Sequence, residues 1–267
     1  MYIIGELING MYRNVAKAIK EKDKIYIKAL ARAQLEAGAD ALDVNSGPAS
    51  SDPKGDMRWL VETIQEEASV RLSLDSTKYD AIEEGLRIAK VPAIINSASA
   101  DQEKLERYIS LAKKYHASLI VLTMDKKGVP QDKDRRLELA AYILDTAAKN
   151  GFPVNELYLD PILVPINVAQ NQLFGILETI KDFKLLTTPS PKTVLGLSNI
   201  SQGVKDRSII NKAFLVMAQS HGLDAAILDP LDEGLMDLSV TADLILNKNI
   251  YCDSYLSAYR KSKKSGM

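Results

Sequence analysis

The chain has 267 residues, 46% hydrophobic and 26% charged, with a formal net charge of −1 and one cysteine. That balance suits one large α/β domain with a substantial core. It gives no footing for nucleic acid or an anionic membrane surface, and no apolar run reaches the ~18 residues of a membrane span. A lone cysteine, Cys252, excludes an intrachain disulfide framework and a cysteine-ligated iron–sulfur cluster. It reads as a small, partly buried thiol. The opening Met-Tyr-Ile-Ile-Gly-Glu lacks a charged-then-apolar leader pattern, so a cytoplasmic protein is expected.

Eight short apolar runs follow one another, at 2–8, 41–44, 72–74, 93–95, 119–124, 157–159, 194–197 and 225–228. They lack clean period-two alternation, which suits strands buried on both faces, as in a parallel sheet. After the first run, Ile27, Leu30, Ala31, Gln34 and Leu35 fall at i, i+3, i+4, i+7 and i+8, a mostly apolar helical stripe. Gly38, Gly151 and Gly222 stand just before later runs, where helix ends often need left-handed geometry. The stretch 46–53 reads as the longest irregular piece. Asp132 is placed to cap a helix over 135–149. Arg260, Lys261, Lys263 and Lys264 predict a solvated, poorly ordered tail. Eight strand–helix units in this length predict a (β/α)8 TIM barrel, one domain over 1–267. An open doubly wound sheet is the alternative. It would bring a glycine-rich phosphate turn after the first strand, and that turn here reads Gly-Glu-Leu-Ile-Asn-Gly.

The residues that end the runs carry the functional signal. They are Asn9; Asp43 and Asn45; Asp75-Ser76-Thr77; Asn96-Ser97; Met124-Asp125; Asp160-Pro161; Ser198-Asn199; and Asp229-Pro230. In a barrel these ends converge on one mouth, where barrel active sites lie. Any one such residue is more often a loop or helix cap, but together they exceed what capping needs. Cations expected near the mouth are few: Lys126, Lys184, Lys192 and Arg207. Both histidines, His116 and His221, precede strands and so fall at the opposite end. A metal site and a serine or cysteine nucleophile with a histidine base are therefore not expected. A ring of acids and amides matches a pterin or purine-like edge, where N–H donors flank a carbonyl.

At these residues the chain resembles the methyltetrahydrofolate:corrinoid/iron–sulfur protein methyltransferases, over almost its full length. The matching stretches include Ile3-Ile4-Gly5-Glu6, Ile8-Asn9-Gly10, Leu42-Asp43 with Asn45, Leu74-Asp75-Ser76-Thr77 and Ile95-Asn96-Ser97. They continue with Asp160-Pro161, Asn167-Val168-Ala169-Gln170, 192–199, 222–226 and Tyr251-Cys252-Asp253-Ser254. The resemblance implies a (β/α)8 barrel, a homodimer, no metal on this chain, and methyltetrahydrofolate or tetrahydrofolate as substrate. It also implies methyl exchange at N5 with a corrinoid carried by a partner protein. By the same resemblance Asp75, Asn96 and Asp160 hold the pterin edge and Asn199 hydrogen-bonds near N5. Gln202 and Arg207 lie near the folate and the incoming corrinoid, and Met124 and Ile227 pack the ring.

Two features depart from the acetyl-CoA-pathway pattern: Leu7, where arginine is expected, and the loop 46–52. They fit a relative serving another corrinoid partner, such as an anaerobic O-demethylase system, where methyl groups flow toward tetrahydrofolate. The chain has no Asp-x-His-x-x-Gly stretch for holding a corrinoid itself. Lys126 and Lys184 are candidates for the folate carboxylates. Dihydropteroate synthase is a competing reading, but it calls for a different first loop and an Arg-x-His near strand eight. A non-catalytic folate-binding protein and an unrelated barrel lyase are the others.

Overall fold

Eight parallel strands pair in chain order and close into a barrel: β1 (Tyr2–Asn9), β2 (Ala41–Asn45), β3 (Arg71–Asp75), β4 (Ile94–Ser99), β5 (Ser118–Leu122), β6 (Leu157–Asp160), β7 (Lys192–Gly196) and β8 (Ala225–Leu228). β1 pairs with both β2 and β8, which completes the ring. The computed structural model describes residues 1–232 and 234–265, with only the backbone for 261–265. The helices are α1 (Arg13–Glu21), α2 (Lys24–Glu36), α3 (Pro53–Gln65), α4 (Tyr79–Ile88), α5 (Gln102–Tyr115), α6 (Lys133–Lys149), α7 (Ile166–Ala169), α8 (Leu173–Phe183), α9 (Arg207–Ser220), α10 (Leu235–Ile245) and α11 (Tyr255–Ser265). Eight of these follow the strand–helix rhythm; α1, α7 and α11 are additions to it. Among the described residues no helix is long and apolar enough to cross a membrane.

The absence of period-two alternation has a direct cause. Inside the barrel Ile4, Ala41, Ile94, Ile120, Tyr158, Val194 and Ala225 pack on one another. Outside it, Ile3, Leu42, Leu74, Ile95, Leu119, Leu159, Leu195 and Ala226 pack against the helices. Both faces are therefore apolar in mid-strand, and each fully buried Ile or Leu stabilises by roughly 1.5–3 kcal/mol. Above mid-barrel only the inner column changes character: Ala41 is followed by Asp43 and Asn45, Ile94 by Asn96, and Tyr158 by Asp160.

Local signals act where expected. Asp132 accepts from the Arg135 amide at 2.8 Å, and Gly38, Gly151 and Gly222 have φ of 107°, 61° and 96°. Gln34, in the apolar stripe of α2, is buried, and its Oε1 accepts from the Leu7 amide beside a bulge in β1. Four expectations are corrected. The longest of the loops flanking the strands is 123–132, after β5, rather than 46–53. The fifth run ends as strand at Leu122, short of Met124, because the Met124 amide turns back onto the Leu122 carbonyl at 2.8 Å. The chain end continues as helix α11 rather than as coil; within it Arg260 is largely exposed, as the composition predicts, with its Nη2 on Asp237 Oδ2 at 2.5 Å. Cys252 is exposed in the turn before α11.

The N-terminal end of the barrel is plugged by satisfied polar groups. Arg71 Nη2 donates to Ser118 Oγ at 2.7 Å and its Nε to the Pro92 carbonyl at 2.9 Å. Ser118 in turn donates to Glu156. The Lys192 ammonium lies 5.0 Å from the Tyr158 ring centroid.

Candidate active site

Five carboxyl groups converge at the C-terminal mouth: Glu6 from β1, Asp43 from β2, Asp75 from β3, Asp160 from β6, and Asp229 just past β8. Strand periodicity brings the first four inward, since each stands two residues beyond an inner-facing position or in line with one across the ladder. Among the described residues none of the five forms an ion pair. Their hydrogen bonds come from neutral donors. Asn45 Nδ2 donates to Asp75 Oδ2 at 2.6 Å, and Asn96 Nδ2 to Asp43 Oδ1 at 3.0 Å. Ser198 Oγ donates to Glu6 Oε1 at 2.6 Å. The Ile162 amide donates to Asp160 Oδ1 at 2.7 Å, and the Leu231 amide to Asp229 Oδ1 at 2.8 Å.

Burial without a counter-charge favours the protonated form. Burial raises the Asp160 carboxyl to about 7, against the pull of the Ile162 amide. Burial likewise raises Glu6 to about 7, opposed by the Ser198 hydroxyl and, more weakly, by Arg207. Asp43, only 3% exposed, is held well above the usual carboxylate range by burial and then by neighbouring Asp75. Asp75 and Asp229 are raised chiefly by burial too. Such perturbed acids gathered in one concave place mark a functional site.

The amide side of the mouth comes from β7. Ser198 and Asn199 do not extend the strand; they lie in a 3-10 turn, Leu197–Ser201. Arg207 clamps this turn, with Nη2 on the Ser198 carbonyl at 3.2 Å and Nε on Ser201 Oγ at 3.1 Å. Gly196 faces into the barrel, and a Cβ placed there would lie 3.0 Å from Asn199 Nδ2. The Asn199 amide thus lies close over Gly196, where an added Cβ would press on it.

The residues singled out from sequence fall into three groups. Asp75, Asn96, Asp160 and Asn199 meet at the mouth. Gln202 and Arg207 stand on its rim, exposed, just beyond the turn. Ile227 packs against the inner barrel cluster beneath, and half-buried Met124 follows β5, its carbonyl taking the Ala100 amide. Lys126 is exposed at this end and 3.2 Å from Asp101. Lys184 and Lys192 belong to the opposite end, contrary to expectation. Lys184 precedes β7 and is held there by Asp224 Oδ2 at 2.7 Å and the Pro191 carbonyl at 2.8 Å. His116 and His221 also lie at that end, closing α5 and α9.

Glu6, Asp43 and Ser198 are additions to the set. Asp43 and Ser198 were visible as run-end polar residues, but nothing in a single sequence says that they bond to Asn96 and Glu6. Arg136 is a further addition. It is fully buried, and it bonds the Pro161 carbonyl (3.0 Å), the Asp132 carbonyl (3.3 Å) and Gln172 Oε1 (3.1 Å). It thereby straps down the loop that follows Asp160.

Comparison with known proteins agrees with this geometry. A methylcorrinoid:tetrahydrofolate methyltransferase of Eubacterium limosum is 29% identical over 265 residues, 98% of this chain and 97% of that protein. Solved structures share the fold at low identity. A Yersinia pestis DHPS bound to a pterine–sulfa conjugate matches at TM-score 0.67 and 16% identity, covering 93% of this chain and 94% of that one. A 7,8-dihydropteroate synthase of Vibrio fischeri matches at TM-score 0.66 and 16% identity, covering 94% of each. The family model described as pterin binding enzyme matches residues 13–229, a span from α1 through Asp229 that takes in most of the mouth. The chain belongs to the pterin-binding enzyme family.

Proposed function

We propose that this chain moves a methyl group between N5 of tetrahydrofolate and the cobalt of a corrinoid carried by a separate protein. The observation that carries the reading is the mouth itself: acids and amides, from buried Asp43 and Asp160 to exposed Asn199, with no ion pair to the acids among the described residues and Arg207 only at the rim, at the position the family uses for a pterin. The near full-length likeness to the Eubacterium limosum methyltransferase supports the choice of reaction. The likeness to dihydropteroate synthases is one of fold.

In this reading Asp75, Asn96 and Asp160 hold the amino, imino and carbonyl edge of the pterin. Asn199, Gln202 and Arg207 face the N5 side and the rim, and Met124 and Ile227 pack the ring. Exposed Lys126 is the remaining candidate for the folate carboxylates. Toward folate, the N5 lone pair attacks the methyl carbon as the Co–C bond breaks, and that bond's electron pair leaves with cobalt as Co(I). N5 then carries a positive charge and a proton that must go to a base. In reverse, Co(I) attacks the methyl carbon and N5 leaves, which requires a proton or a strong hydrogen bond at N5 by the transition state. That proton is exchanged with solvent or with a carboxylate such as Asp160, whose value of about 7 suits transfer near neutral pH. Asn199 is an amide and cannot be the proton source; it stabilises protonated N5 as a fixed dipole.

The test is spectroscopic. Mixing the protein with methyltetrahydrofolate and reduced free cobalamin is expected to replace the Co(I) spectrum with that of methylcobalamin. Tight folate binding with no spectral change would leave a folate-binding protein and overturn the reaction.

A further inference from the structure

An asparagine amide has two faces of opposite polarity and cannot change them by titration. A carboxyl can become a donor by taking up a proton; an amide becomes one only by turning over. Whatever holds Asn96 in one orientation therefore decides what it asks of a ligand.

Asn96 is held by Asp43. Its Nδ2 donates to Asp43 Oδ1 at 3.0 Å, and its Oδ1 has no partner among the described residues. Asp43 is itself fixed: it is 3% exposed, level with Ser73 on the neighbouring strand, and beside Asp75. Charged or neutral, Asp43 keeps a carbonyl-type oxygen for the Asn96 amide. The neighbours of Asn96 are arranged alike. Asn45 Nδ2 occupies Asp75 Oδ2 and leaves Oδ1; the Ile162 amide occupies Asp160 Oδ1 and leaves Oδ2. With Asp75 and Asp160 ionised, the mouth offers three uncommitted acceptor atoms, on Asp75, Asn96 and Asp160, and the one that protonation cannot turn into a donor is Asn96 Oδ1.

Resting on the folate reading above, we propose that Asp43 is a specificity-determining positioning residue. It locks the Asn96 amide oxygen toward the ligand, so that the site selects 2-amino-4-oxo pterins over their 2,4-diamino counterparts. The 4-oxo ring carries hydrogen on N3 beside its 2-amino group, and in this proposal that N3 hydrogen is the one that faces the Asn96 oxygen. The 2,4-diamino ring has a bare lone pair on N3. Facing a fixed amide oxygen, that nitrogen goes unsatisfied, a mismatch of the kind that sites built around hydrogen bonds reject strongly.

The experiment compares the dissociation constants of tetrahydrofolate and its 4-amino analogue, by calorimetry, for the natural protein, Asp43→Asn, and the swapped pair Asp43→Asn/Asn96→Asp. The natural protein is expected to prefer tetrahydrofolate by about 100-fold, and Asp43→Asn by less than about 10-fold, because Asn96 can then present either face. The swapped pair keeps one amide-to-carboxylate bond and an acceptor toward the ligand, so the preference should return. Thermal melts of each variant accompany the titrations. An Asp43→Asn protein that binds tetrahydrofolate with the natural preference overturns the proposal while leaving the folate reading intact. So does a swapped pair that folds and binds both ligands equally. If Asp43→Asn fails to fold, the swapped pair decides. A natural protein that binds neither ligand removes the folate reading, and this proposal with it.

Discussion

The two ends of the barrel handle buried charge in opposite ways. At the floor, cations and acids meet with full partnership: Arg71 with Ser118 and backbone carbonyls, Lys184 with Asp224, and the Met1 ammonium 2.5 Å from Asp243. At the mouth, Glu6, Asp43, Asp75, Asp160 and Asp229 gather without a single ion pair among the described residues. The floor groups are arranged for stability. The mouth groups carry an uncompensated desolvation cost that a ligand rich in N–H donors relieves. The difference sets the mouth apart as the candidate site.

The sharpest way to break this contrast is to neutralise a mouth acid and follow stability with pH. The Asp160 carboxyl has its folded value near 7 against an ordinary 3.8. Its contribution is fully present below about pH 4 and is lost as pH rises to about 7, up to roughly 4 kcal/mol at ~1.4 kcal/mol per pKa unit. Asp160→Asn removes that term. Denaturant melts should show the variant gaining on the natural protein between pH 4.5 and pH 8, with a difference independent of pH contradicting the account of Asp160. Next in size is Asn199→Ala. Single-turnover methyl transfer should slow about 100-fold or more, the scale of a lost transition-state hydrogen bond. Folate affinity should fall far less, and equal losses would make Asn199 merely a binding residue.

At the floor, Lys184→Met should lower stability by about 1–3 kcal/mol, by leaving Asp224 and the Pro191 carbonyl short of a donor. Folate affinity should be unchanged. A loss of folate binding in that variant would return Lys184 to the mouth. The smallest effect is expected from Gly196→Ala. Its Cβ would meet Asn199 Nδ2 at 3.0 Å and push the amide aside by a few tenths of an ångström. Turnover should drop several-fold, on the order of 1 kcal/mol in the barrier, with the barrel's thermal melt nearly unmoved.

Much of the fold was readable because a barrel strand is buried on both faces. Continuous apolar runs, helix-ending glycines and the Asp132 cap each specify structure locally. The additions were less legible. α1 carries a helical stripe of its own, Val15, Ala18 and Ile19 at i, i+3 and i+4, but it stands directly before α2 and breaks the one-strand, one-helix rhythm, and α7, at four residues, is too short to show a period. At the site, Asp75, Asn96 and Asp160 were legible because they end their runs. Glu6 lies inside the first run and looks like part of a strand. Lys184 and Lys192 were misassigned because sequence distance from a strand does not say which end of it a side chain reaches. Lys184 precedes β7 and Lys192 is its first residue, and so both fall at the floor. Arg136 lies in the first turn of α6 among other charged residues, where a cation is ordinarily solvated, and only three-dimensional packing reveals that it fastens the loop after Asp160.

A single titration series tests the contrast between floor and mouth most directly. Tetrahydrofolate is titrated into the natural protein, Asp75→Ala and Lys184→Met at neutral pH. A pterin-gripping mouth predicts binding to the natural protein and to Lys184→Met with closely similar constants, and a loss of about 100-fold or more for Asp75→Ala. Equal affinity in all three proteins would contradict it.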